Sequence, residues 1–590
     1  MHITDLEING FRLLAGASLG LEKRTTVIVG RNNSGKTSLT ELFRRILLDK
    51  SPTFRLEDFS LESHEAFWNA SVLHLLGRSD EAVRAALPAI EARITVNYSD
   101  DADMLGPLAE FIVDLNPDCH IALIVVRYQL DDGKISALFE GLSSDATTPE
   151  DERKRDLCKL IKERVPELYK ARLHAVDPND ESNRKQIDWA LLQSLIQSGF
   201  INAQRGLDDA THRERDVLGK VLEALFTAAG SESADTKDKS AATTLDVAVQ
   251  GIQDQIDTDF NKSLKTILPA FSLFGYPGLG DPTLRTETTL DVQRLLTNHT
   301  KVRYEGLNGV NLPEAYNGLG ARNLIFILLQ LVEFFKSFKA QQAAPGIHLV
   351  FIEEPEAHLH PQMAEVFIRK IEEIAEKFVS EMNDGVAWPV QFIVTTHSTH
   401  MANAARFETM RYFLAAPNGD HRHLRKTRIK DLRQGLSGTP ENVRDFLHQY
   451  MTLTRCDLLF ADKAALIEGC TERLLLPRMI AKVDEELPVC AKLSSQYTSV
   501  VEVGGAYAHL FFDLLEFLEL RTLVITDIDS AQKNATGHRV ACRVDEATHT
   551  TNACIHSWFG DIAPADLLSA VYIRMAGANN SLWSDGIRNS

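Results

Sequence analysis

The chain has 590 residues, 44% of them hydrophobic and 25% charged, a composition that belongs to an ordinary globular protein of several domains, each able to bury its own core. Its 82 acidic residues outnumber its 63 basic ones, and the formal net charge of −19 excludes sequence-wide electrostatic attraction to nucleic acid, leaving that work to local basic patches and metal ions. No apolar stretch reaches membrane-spanning length, MHITDLEING has no signal-peptide pattern, and the seven cysteines show neither C-x-x-C nor zinc spacing, so free thiols in a reducing cytoplasm are expected.

The first predicted element is a hairpin between Ile3 and Val29, with Leu6-Glu7-Ile8 and Ala17-Ser18-Leu19-Gly20-Leu21 as its arms. The short strand Thr26-Val27-Ile28-Val29 then runs into Gly30-Arg31-Asn32-Asn33-Ser34-Gly35-Lys36-Thr37, which satisfies G-x-x-x-x-G-K-[ST], and a helical pattern follows from Ser38. In that context the glycines let backbone N–H groups close on phosphate oxygens, helped by the positive end of the helix. Asn32, Asn33 and Ser34 complete the loop; Lys36 is placed to reach the β- and γ-phosphates, and Thr37 to ligate Mg²⁺.

Strand patterns at Ala92–Tyr98 and Ile121–Tyr128 precede charged, helical sequence with few strand signals, and residues 149–267 read as a helical insertion. Strand-rich sequence resumes near Phe271. Gly318-Leu319-Gly320-Ala321-Arg322 opens an apolar helix, where an ABC-type ATPase carries the signature loop that meets nucleotide bound by an opposite subunit. It departs from Leu-Ser-Gly-Gly-Gln, so an ordinary Gly-rich cap is the other reading; if the signature reading holds, the catalytic unit is a two-fold dimer. The buried strand ending Phe351-Ile352-Glu353-Glu354 has the form of a Walker B segment, Glu353 holding Mg²⁺ and Glu354 polarising the attacking water. Strand Gln391–Thr396 ends at His397, placed like a switch histidine on the γ-phosphate. Basic residues from His421 to Arg433 form the second arm of a hairpin, read equally as a solvated face or a DNA contact.

Near the C-terminus, Glu468-Gly469-Cys470-Thr471-Glu472 follows one apolar strand and Asp527-Ile528-Asp529 another. A helix beginning at the glycine would put Glu468 and Glu472 on one face, opposite Asp527 and Asp529, and four carboxylates converging there can hold hard cations. This pair of motifs resembles the Toprim active site, the metal-dependent phosphodiester module of topoisomerases, primases and certain nucleases.

A split ABC-type ATPase followed by Toprim resembles the OLD (overcoming lysogenization defect) family, which includes Gabija nuclease subunits and retron-associated effectors. The resemblance implies an α/β fold: an ABC-type P-loop ATPase in two parts (1–148 and 268–450), a helical, dimerising insertion (149–267), and a Rossmann-like Toprim domain (451–590). It implies ATP and Mg²⁺ (or Mn²⁺) as cofactors and a homodimer or larger oligomer. Glu468 would act as acid/base or metal-bridging carboxylate, and Glu472, Asp527 and Asp529 as ligands of a two-metal DNA-cleaving site. The implied partners are DNA and either a UvrD-type helicase or a retron reverse transcriptase with its nucleic acid. The family's supporting lysine has no match here, Lys533 being merely near the acids. A second reading is therefore an ATP-gated sensor of DNA or a partner with a weak or inactive Toprim module.

Overall fold

The structure is a computed structural model describing residues 1–203 (without 102–104, 115 and 143–148), 236–271, 303–305, 311–313, 318–435 (without 342–344, 383–386 and 419–420) and 456–569 (without 505–506, 535–536 and 561–562), with a few isolated residues between. Much of the region expected to resume strands after Phe271 lies outside the described residues, as does Asn317.

One six-stranded sheet is antiparallel, in the order β2-β1-β4-β5-β6-β7: β1 His2–Asn9, β2 Ala17–Gly20, β4 Ile90–Asn97, β5 Ile121–Leu130, β6 Tyr169–Val176 and β7 Arg184–Gln186. It covers the core on one face only, and β4 alternates buried and half-buried along its length, the period-two pattern of a sheet with one wet side. The second sheet runs β14-β13-β3-β12-β11-β8: β3 Thr25–Gly30, β8 Ile196–Ile201, β11 Ile347–Glu353, β12 Val390–Thr396, β13 Met410–Asn418 and β14 His421–Asp431. It is parallel except for the β13–β14 hairpin. Every residue of β3, β11 and β12 is buried, because helices pack on both faces of a parallel sheet and leave no wet side. β9 Arg303–Glu305 pairs antiparallel with β10 Asn311–Pro313.

The helical reading of residues 149–267 is corrected between 169 and 201. Helices occupy Glu150–Leu168 and Thr236–Phe271, but β6 and β7 extend the antiparallel sheet, and β8 pairs in parallel with the Walker B strand β11. The sequence of β8, Ile-Gln-Ser-Gly-Phe-Ile, is poor in strand formers at its centre. Its glycine answers to packing: a Cβ on Gly199 would lie 2.6 Å from the Phe334 ring.

The C-terminal module holds a parallel sheet, β16-β15-β17 (β15 Lys463–Ile467, β16 Thr498–Glu502, β17 Arg521–Ile525), and a small antiparallel one, β19-β18-β20 (β18 Ser530–Lys533, β19 Arg539–Ala541, β20 His549–Thr550). It packs directly on the ATPase sheet, since one apolar cluster runs from Val394 and Tyr412 through Leu458 and Leu459 to Leu466 and Phe511. Charged contacts cross the same boundary: Arg31 of the P-loop pairs with Asp462, and Arg428 and Lys430 of β14 pair with Glu519. No described helix is long and apolar enough to cross a membrane.

Candidate functional site

The P-loop is held open by backbone geometry that only small residues satisfy. Gly30 has φ +152°, and a Cβ there would lie 2.4 Å from the Phe413 carbonyl oxygen; Gly35 has φ +97°, and its Cβ would lie 2.4 Å from Thr427 Oγ1. Thr427 on β14 in turn donates to the Ser34 carbonyl at 2.8 Å, so the hairpin fastens the loop. Helix Lys36–Leu48 starts directly at Gly35, which aims its free N–H groups at the loop. Asn32, Asn33 and Thr37 are exposed, whereas Ser34, Gly35 and Lys36 are buried. The Lys36 ammonium donates to the carbonyls of Gly30 and Arg31 (2.7 and 2.8 Å). Burial lowers its pKa to about 8, against the opposing pull of Glu354 and Glu356. That pull places the acids after β11 within electrostatic reach of the P-loop lysine.

Glu353 ends β11 and is buried; burial raises its carboxyl pKa, with Thr40 and the Arg44 guanidinium opposing. Glu354 follows in the left-handed region at φ 42°, and its carboxylate Oε1 lies 3.2 Å from Nε2 of His397. Glu356, not singled out by sequence reasoning, accepts from Thr396 Oγ1 (2.8 Å) and from the His397 N–H (2.7 Å), which fixes the histidine's backbone. Its other oxygen, Oε2, is buried with no hydrogen-bond partner among the described residues. Thr37 at the helix start and Glu353 at the strand end are the oxygen donors suited to a nucleotide-bound Mg²⁺.

Gly318 caps helix Leu319–Lys339. Within this chain the helix start packs on the loop after Walker B: a Cβ on Gly320 would lie 2.6 Å from the His358 carbonyl oxygen. Buried Asn323 donates to the carbonyls of Pro355 and Ala357 (3.1 and 2.6 Å), a second residue that spacing alone did not reveal.

In the C-terminal module the expected helical face of Glu468 and Glu472 is corrected. Gly469 is extended (φ −160°) and caps a helix that begins at Cys470, so Glu468 lies outside that helix, directly after β15. Glu472 Oε2 accepts the Gly469 N–H at 2.9 Å and serves as the capping carboxylate of that helix. Glu468 Oε2 faces the other motif, accepting from Thr526 Oγ1 (3.0 Å) and the Asp527 N–H (2.9 Å). Burial raises the Asp529 carboxyl pKa, and the charges of Glu468 and Asp527 add to that, opposed by Asn552. Glu468, Asp527 and Asp529 are thus brought together, and Glu472 is engaged elsewhere. Such like-charge crowding is what a hard divalent cation relieves. Among the described residues no three His, Cys, Asp or Glu side chains form a metal-holding group. The donors therefore suit an ion held by one or two carboxylates with waters completing its shell. Lys533 is exposed on β18, opposite Arg539.

Residues 1–402 match the AAA ATPase domain family, and residues 459–529 match the TOPRIM domain of overcoming-lysogenization-defect-like proteins. The chain is 24% identical over 515 residues to Endonuclease GajA of Bacillus cereus (strain HuB5-5), covering 86% of this chain and 70% of that protein. It is 28% identical over 235 residues to the OLD nuclease of Thermus scotoductus (strain ATCC 700910 / SA-01), 39% of each chain. Among solved structures, an SMC head domain from Thermotoga maritima aligns over 73% of this chain and 99% of its own, with a TM-score of 0.30 and 12% identity. With a P-loop ATPase domain over its first two thirds and a TOPRIM module behind it, the chain belongs to the OLD family.

Proposed function

We propose that this protein is an ATP-binding, divalent-metal-dependent endonuclease that nicks or cuts DNA, with nucleotide held by the P-loop half and phosphodiester cleavage carried by the TOPRIM half. The observation that carries the reading is the hydrogen-bonded union of Glu468 with the Thr526–Asp527 turn, beside an Asp529 crowded by like charge. Gly30, Asn32, Asn33, Ser34, Gly35 and Lys36 would bind phosphate, with Thr37 and Glu353 holding its Mg²⁺. Glu354, steered by His397, would orient the water that attacks the γ-phosphate. Among Glu468, Asp527 and Asp529, one or two carboxylates would hold Mg²⁺ or Mn²⁺ directly in the second site, with waters linking the rest; such an ion, when bound, activates water and stabilises the leaving oxygen. Gly318 and Gly320 would meet the nucleotide of a second copy, making the working unit a homodimer. The insertion would be confined to residues between β8 and β11, and the compartment would be the cytoplasm. A defence role, with a UvrD-type helicase or a retron reverse transcriptase as partner, follows the family pattern.

Incubation of the purified chain with supercoiled plasmid in Mg²⁺ and in Mn²⁺ tests this. Conversion to open-circular or linear DNA is expected, and Asp527→Ala should lose far more than the tenfold in rate that about 1.4 kcal/mol represents. Equal cutting by Asp527→Ala in both metals refutes the assignment. The engagement of Glu472 in a helix cap favours a second reading, an ATP-gated DNA sensor, which takes over if the parental protein cuts under no metal or nucleotide condition.

A further inference from the structure

The turn that carries Asp527 and Asp529 is gripped by a triplet that neither motif contains. Three consecutive carbonyl oxygens are each held by one of three consecutive residues. Asn552 Nδ2 donates to the Asp527 carbonyl at 2.9 Å, Thr550 Oγ1 to that of Ile528 at 2.6 Å, and the Thr551 N–H to that of Asp529 at 2.9 Å. The grip matters because Asp529 sits at φ 48°, a left-handed conformation that a free L-residue leaves readily.

Asn552 does more than hold a carbonyl. It is 1% exposed, and its side chain makes four hydrogen bonds, the full capacity of a carboxamide. Oδ1 accepts the N–H groups of Cys554 and Ile555 (2.9 and 3.2 Å), capping helix Ala553–Phe559. Nδ2, besides the Asp527 carbonyl, donates to Thr526 Oγ1 at 2.7 Å. Because Nδ2 only donates, the single Thr526 hydroxyl proton is left for Glu468 Oε2, 3.0 Å away. One buried amide thereby sets the turn and, through Thr526, the orientation of the Glu468 carboxylate that follows β15.

We propose that Asn552 is a positioning residue for the divalent cation of the TOPRIM site, acting through Thr526 on Glu468 and through the main chain on Asp527 and Asp529. The inference rests on the endonuclease reading of those acids. Partners that orient a metal's ligands contribute about 10- to 100-fold in affinity, and Asn552 occupies that place with respect to all three carboxylates.

Free Mn²⁺, followed by electron paramagnetic resonance during titration of the full chain without nucleotide, gives a readout independent of cleavage. The parental protein should show a site that Asp527→Ala abolishes. Asn552→Ser retains a capping oxygen but not the two amide donors, so it should fold and melt at a modestly lower temperature without metal, while Mn²⁺ affinity at the Asp527-dependent site, measured well below that melting temperature, falls by about 10- to 100-fold. Thr526→Val should weaken the site in the same direction, and Thr526→Ser, which restores the hydroxyl, should bring it back. Parental Mn²⁺ affinity in both Asn552→Ser and Thr526→Val overturns the proposal while leaving the endonuclease reading intact. If Asn552→Ser does not fold, the Thr526 pair decides alone. An absence of any Asp527-dependent site in the parental protein overturns the endonuclease reading itself, and the positioning role with it.

Discussion

Replacing Glu354 should separate what its carboxylate does from what its backbone costs. The residue lies at φ 42° immediately after β11, its N–H donating to the Thr395 carbonyl at 2.9 Å and its carboxylate touching His397. An L-residue held in the left-handed region costs about 1–2 kcal/mol. Glycine escapes that cost but adds about 0.5–1 kcal/mol of unfolded-chain entropy, so Glu354→Gly should stabilise the fold by roughly 0.5–1 kcal/mol as the difference. Glu354→Gln keeps the strain and the reach to His397 while removing the charge, so its stability should stay parental. If Glu354 orients the attacking water as proposed, both variants lose that base, and ATP hydrolysis should fall by about 10²- to 10⁴-fold with nucleotide binding retained. Phosphate release, calorimetric ATP binding and thermal unfolding on the same preparations provide the comparison. Hydrolysis by Glu354→Gln at the parental rate would show that the carboxylate is not catalytic and that the acid register is shifted. A Glu354→Gly protein less stable than Glu354→Gln would show that the left-handed backbone carries no strain worth relieving.

Two further outcomes follow from buried groups. Lys36 uses its ammonium on loop carbonyls and on Ser34 Oγ, and Lys36→Ala should weaken ATP binding by about 2–3 kcal/mol, the worth of a charge-assisted phosphate contact; unchanged affinity in direct binding measurements would refute the P-loop assignment. His348 is fully buried beneath Phe338, accepts the Trp388 indole N–H on Nδ1 at 3.0 Å, and has its pKa lowered by burial to about 3. The folded pKa lies below the unfolded one near 6.5, so between them the unfolded chain binds the extra proton. The stability of the neutral imidazole is therefore complete above about pH 6.5 and is lost on acidification at about 1.4 kcal/mol per pH unit. Denaturant unfolding at pH 6.5 and 5 should reveal a loss of about 2 kcal/mol in the parental protein that is missing from His348→Phe; an equal loss in both would refute the burial argument.

What the sequence made legible was local. The P-loop reads from one continuous string because its constraints are local: two glycines at positive φ and a helix that begins at once. The strands β3, β11 and β12 read as apolar runs because both of their faces are covered. β8 did not, because the Phe334 ring demands a glycine at its centre and the strand signal is lost with the side chain. Glu356, Asn323 and Asn552 act through hydrogen bonds to residues 25 to 41 positions away, and no spacing rule encodes such a contact. The carboxylate pair shows the limit most sharply. A separation of four residues suits two ligands on one helical face, and a separation of three from a preceding glycine suits a helix-capping glutamate. Glu472 satisfies both patterns at once. The extended backbone of Gly469 decides between them, because it ends β15 with Glu468 outside the helix and leaves the Gly469 N–H to be satisfied by Glu472. Glu468 is thereby free to turn toward Thr526 and Asp527, which directly follow the neighbouring strand β17, so the helix cap and the site's geometry are consequences of the same residue's conformation.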